Sequence, residues 1–114
     1  MTAREIVESV RRRDIAADEA QLYGALKRLE AEICIYGQLP EKEFSEDGEM
    51  YAPEAFRNMY EEYLRSENAL LSEDWDCYER HEALFRTERE RLREYLVKNM
   101  PERVQKFSIG EGWL

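Results

Sequence analysis

Apolar positions along the chain fall into three helical blocks separated by polar stretches. Thr2 and Glu5 form a T-x-x-E capping box ahead of a short stripe of Ile6, Val7 and Val10, which predicts a first helix from about Ala3 to Arg12. A helix of that length is marginal alone in water, so its stripe must pack on another element. In the second block Leu22, Leu26, Leu29, Ile33 and Tyr36 recur at steps of four and three, widened by Ala25 and Cys34. Asp14 or Asp18 can cap this helix, and Gly37 is expected to end it.

From Gln38 to Ala52 the periodicity fails. Pro40, the Asp47-Gly48 step and the acidic residues Glu41, Glu43, Glu46, Asp47 and Glu49 predict a loop, with Asp47-Gly48 also able to close a short hairpin between Phe44 and Met50. The carboxylates do not have the alternating spacing and terminal glutamate of a calcium loop.

Pro53 suits the first turn of a helix, and neither proline nor glycine recurs before Pro101. Pairs of mostly apolar residues repeat every seven positions: Tyr63-Leu64, Leu70-Leu71, Cys77-Tyr78, Leu84-Phe85, then Arg91-Leu92. A heptad keeps one seam facing a neighbouring helix. The phase is shared across Ser72, a candidate N-cap, and this favours one helix of about 70 Å over two. A polar row with the same period, Glu67, Asp74, His81 and Glu88, runs along the stripe. Ionisable groups on a seam need partners and tend to fix register and partner choice, so these four are candidate partner-binding residues; the alternative is a narrow stripe with its flanks in solvent. Beyond Pro101, Val104, Phe107, Ile109, Trp113 and Leu114 alternate with polar residues and glycines. Such a tail either docks on its own domain or grips a neighbour, with Phe107, Ile109, Trp113 and Leu114 as contacts.

The fold expected is therefore all-α. Two N-terminal helices pack on the long heptad-patterned helix, continuous or broken near Ser72, in a single domain over 1–101 that includes the acidic loop 38–52. An extended tail or arm follows over 102–114.

Composition narrows the function. With 114 residues, of which 43% are hydrophobic, the chain can bury one modest core. A formal net charge of -9 argues against nucleic acid or an anionic membrane as a partner of the whole molecule. Arg11, Arg12 and Arg13 are adjacent, but they fall at a helix end, where cations offset the macrodipole. No apolar run is long enough to span a bilayer and the N-terminus lacks a signal-peptide core, so a cytosolic protein is expected. Cys34 and Cys77 each lie in a helical pattern and are expected as free thiols.

Candidate chemistry is sparse. Asp74, Cys77 and His81 share a helix face at spacings of three and four and have the residue types of a metal site, yet a single histidine inside a packing seam favours a structural role. For nucleophilic catalysis there is one histidine as base, with Ser9, Ser45, Ser66 and Ser72, and Ser108 a fifth in the tail, and no glycine-rich turn for an oxyanion site. No phosphate-binding loop or dinucleotide fingerprint is present. No enzyme activity, cofactor or small-molecule substrate is expected.

Met1-Thr2-Ala3-Arg4-Glu5, Met50-Tyr51-Ala52-Pro53, Tyr60, Tyr63-Leu64, Tyr78, Ala83-Leu84-Phe85, Tyr95 and Asn99-Met100-Pro101 resemble small structural proteins of tailed phages and prophages, of the head-tail connector or head-completion type. The resemblance covers the first few residues and about 50–101. Arg80-His81 and the charged Arg86 to Glu94 run depart from its pattern. It implies a non-enzymatic virion subunit that forms a ring with its own copies and meets portal, capsid or tail proteins, found in the host cytoplasm during assembly and then in the virion. A negative wall suits a ring around moving DNA, since it does not trap phosphates. The alternative is a host cytosolic helical adaptor or regulator, dimerising through the same seam.

Overall fold

The computed structural model describes residues 1–99, and within them the chain is all-α. The elements are α1 (Ala3–Arg13), α2 (Glu19–Gly37), a 3-10 turn (Glu54–Phe56) leading into α3 (Arg57–Leu71), and α4 (Trp75–Lys98). The tail expected over 102–114, with Phe107, Ile109, Trp113 and Leu114, lies outside the described residues.

Local chemistry sets the helix starts. Thr2 Oγ1 accepts from the Glu5 amide at 3.3 Å, the N-cap bond of the expected box, and the Glu5 carboxylate accepts from the Thr2 hydroxyl. Asp18, not Asp14, caps α2, its Oδ1 accepting from the Ala20 amide at 2.9 Å. Asp14 instead ends α1 and accepts from the Asn68 side chain of α3.

The end of α2 differs in one detail from the sequence expectation. Gly37 remains helical, and Gln38 takes the left-handed conformation at φ 51°. Gly37 serves close approach: a Cβ there would lie 3.1 Å from Leu39 Cγ and 3.1 Å from Leu96 Cδ2 of α4.

A single continuous helix from Pro53 to Asn99 is not formed. The amides of Glu73 and Asp74 return to the carbonyls of Leu70 and Ala69 at 3.2 and 2.9 Å, while Glu73 sits at φ 56°. This is a Schellman ending, with a glutamate in the place glycine usually fills. Asp74 then caps the next helix, its Oδ1 accepting from the Cys77 amide at 3.2 Å. Three residues thus reverse the chain, and α4 runs back along α3, bringing His81 beside Glu62 and Tyr95 beside Phe56. The two antiparallel helices realise the expected seam only in part: Leu64, Phe85 and Leu92 are buried in their contact, while Leu70 and Leu71 at the turn and Leu84 on α4 are exposed. Tyr63 and Phe85 meet across this seam with ring centroids 5.0 Å apart.

The N-terminal helices cover the other side of α3. Ser9 bonds Glu61 and Asp14 bonds Asn68, so α1 runs parallel to α3. Arg28 meets Glu67 and Glu30 meets Tyr60, so α2 runs antiparallel to it. Ile6, Leu26, Leu29, Ile33, Met59 and Leu64 are fully buried where these helices converge. Each contributes about 1.5–3 kcal/mol through burial. The acidic segment 38–52 turns at Ser45–Gly48 and pairs with the chain start through a lone bridge between Thr2 and Glu49, in place of a hairpin of its own. No helix among the described residues is long and apolar enough to cross a membrane.

Candidate functional site

Two glutamates are buried in the helical layer, each at 5% exposure. Glu62 points from α3 into the contact with α4. Its carboxylate accepts from Arg65 at 3.0 Å and from His81 Nδ1 at 2.5 Å. Arg65 also reaches Glu61 at 3.1 Å, and Glu61 reaches Arg57 at 3.2 Å, so alternating charges run along one face of α3. These pairs are largely shielded from water, where ion pairing is less screened than at a surface.

Glu30 points from α2 toward the start of α3 and the end of the acidic loop. Its Oε1 accepts from the Tyr60 hydroxyl at 2.5 Å and its Oε2 from the Tyr51 amide at 2.8 Å. Tyr60 in turn accepts from the Ala52 amide at 3.2 Å. Both donors to Glu30 are neutral. Burial pushes the Glu30 carboxyl above its ordinary 4.5, an effect larger than the opposing pull of the two hydrogen bonds and of Lys42. Burial and the neighbouring carboxylate push the Tyr60 phenol up as well.

The four residues of the polar row are divided between two helices and a turn, and each has a partner inside the chain. Glu67 lies on α3 and faces Arg28 of α2 at 3.5 Å. Asp74 is the exposed cap of α4, and His81 meets Glu62. Glu88 pairs with Arg91 of its own helix at 2.8 Å. Asp74, Cys77 and His81 do come together, with Arg13, Arg65 and Asn68, around an open cavity of about 280 Å³. The Asp74 carboxylate is turned to a backbone amide and His81 to Glu62, so they do not converge on one point. Among the described residues no group of three histidine, cysteine or acidic side chains is placed to hold a metal ion. Both cysteines are free thiols.

Exposed apolar side chains gather where the α1–α2 and α3–α4 turns meet. Contacts between Asp14 and Asn68, and a cavity shared by Asp18, Leu22, Asn68 and Leu71, place both turns at one end of the bundle. That end displays Ile15 at 82% exposure, Leu71 at 59% and Trp75 at 57%, with Leu70 partly exposed beside them. Charged residues of both signs, Arg12, Arg13, Glu73 and Asp76, surround them on the chain and are exposed. An aromatic and three aliphatic side chains within a mixed-charge rim have the composition of a protein contact.

Sequence reasoning passed over Glu30, Glu62, Ile15 and Trp75, and placed Leu70 and Leu71 in the seam, where the structure leaves them exposed because α3 ends at Leu71. A signal for the first existed: Glu30 lies between Leu29 and Ile33 and four residues after Leu26, on the apolar stripe itself. The exposed end had none, because Ile15 comes beside the α3–α4 turn only through the packing of α1 along α3. Compared with family models, with curated proteins and with solved structures, the chain matches none of them.

Proposed function

We propose that this chain is a non-enzymatic structural subunit acting through protein–protein contacts, and specifically a head-tail connector subunit of a phage or prophage that assembles in a ring with its own copies and with portal, capsid or tail proteins. The observation that carries the contact reading is the apolar end of the bundle, where Ile15, Leu71 and Trp75 stand in solvent. Removing these side chains from water on assembly is favourable in proportion to the area covered. The connector assignment is supported by the resemblance of residues 1–5 and 50–101 to that class. The test is sedimentation and electron microscopy of the protein alone and mixed with phage portal and capsid proteins. Rings or portal-bound particles are expected. Monomers under every condition would overturn the proposal, and a dimer indifferent to those partners would favour the adaptor reading.

A further inference from the structure

We propose that the acidic segment 38–52 is a strap over α2 whose hold on the bundle is set by the protonation of Glu30.

The strap is braced within itself. The Tyr51 hydroxyl donates to Pro40 O at 2.8 Å and accepts from the Lys42 amide at 3.2 Å, and Lys42 Nζ donates to Glu49 O. Cys34 Sγ of α2 donates to Leu39 O at 3.3 Å, at the root of the segment. On its outer side the strap is fastened to the start of α1: the Arg4 amide donates to Glu46 O at 2.8 Å and the Met50 amide to Met1 O at 3.1 Å. On its inner side the fastening is the Glu30 and Tyr60 pair, which takes the amides of Tyr51 and Ala52. Between strap and α2 lies a cavity of about 370 Å³, lined by Ala31, Cys34, Ile35, Phe44 and Tyr51 among others. Releasing the inner fastening opens this cavity while the α1 side stays attached.

The inner fastening is sensitive to charge because of what surrounds Glu30. Tyr60 from α3 and the Tyr51 amide from the strap are neutral donors. Lys42, the strap cation that acts on Glu30, has its ammonium turned to Glu49 O and lies over the Tyr51 ring. Lys27 and Cys34 of α2 and Glu41 and Glu43 of the strap line the same cavity. On the α1 side, Arg4 pairs with Glu46 and Asp47, and the Met1 ammonium with Glu49, on exposed carboxylates of the strap. An ionised carboxylate held among neutral donors, with a cation engaged elsewhere, has its desolvation cost only partly offset, and a proton removes that cost. A protonated Glu30 keeps acceptor capacity for both the Tyr60 hydroxyl and the Tyr51 amide.

The sign follows from linkage. The latched carboxyl is raised above the value it has when released into water, so the latched state takes up the proton more readily. The hold is complete below about 4.5 and weakens as pH rises from there through the raised value.

The test is amide hydrogen exchange of the full chain, followed residue by residue, with each rate divided by that of an unstructured peptide at the same pH. Protection at Tyr51 and Ala52 should fall severalfold between mildly acidic and mildly basic pH, with Leu92 in the core unchanged. In the Glu30→Gln variant the protection should persist without a pH dependence. The Tyr60→Phe variant, which retains the ring, should lose protection at Ala52 at every pH. A flat wild-type profile, an equal fall at Leu92, or a pH dependence surviving in E30Q would overturn the proposal. None of these outcomes bears on ring assembly, which is read separately.

Discussion

Glu30 and Glu62 are buried to the same extent, yet the protein treats their charges differently. Glu62 is given the guanidinium of Arg65 and the imidazole of His81, and stands in a ladder that continues through Glu61 to Arg57. Glu30 is given a phenol and an amide. Paired with opposite charge, a buried carboxylate fixes how two helices sit; paired with neutral donors, it couples a segment to proton concentration. One layer of the fold thus contains an arginine-braced joint between α3 and α4 and an adjustable one between α2 and the strap.

Breaking the arginine-braced joint should cost most. Replacing Glu62 by leucine leaves Arg65 and His81 without their shared partner, and urea denaturation at neutral pH should register a loss of about 3 kcal/mol. Glu61 still serves Arg65, which keeps the loss at the lower end for a broken buried pair. At the adjustable joint, Tyr60→Phe removes the donor to Glu30 and the acceptor of the Ala52 amide, and the same measurement should give about 2 kcal/mol. The smallest effect belongs to Glu30→Gln, which keeps an acceptor for the Tyr51 amide and is expected within about 1 kcal/mol of wild type at neutral pH. Its value lies in the trend. Because burial raises the Glu30 carboxyl, wild type should gain on E30Q as pH falls toward about 4.5, opposite in sign to the acid weakening of a salt-bridged carboxylate. A difference independent of pH would make the two joints equivalent and remove the contrast.

Much of the fold was legible in the sequence. Thr2, Glu5 and Asp18 announce helix starts through short-range hydrogen bonding, and Leu22, Leu26, Leu29 and Ile33 are buried as their spacing requires. The break after Leu71 was legible only as the less favoured alternative, with Ser72 as cap where the structure uses Asp74, because Glu73 occupies a left-handed position that sequence rules assign to glycine or asparagine. A heptad is equally compatible with one helix against a foreign partner and with two helices against each other. Of the polar row, His81 was marked as needing a partner, and the partner, Glu62, lies nineteen positions away in the chain, closed by that same turn. Glu30 shows a different limit. Its place on an apolar stripe is visible, but its donors come from Tyr51 and Tyr60, across a loop whose path no local signal fixes.

The three-residue link between α3 and α4 also bears on the order in which the molecule assembles. Contacts across this hairpin join residues close in sequence, so they close the smallest loops and meet the least entropic opposition. The contacts that seat α1 and α2 on α3 span far longer stretches, such as Asp14 with Asn68. The hairpin is therefore the natural nucleus, presenting a ready template on which the N-terminal helices condense, and the strap, which depends on α1, α2 and α3 all being in place, closes last.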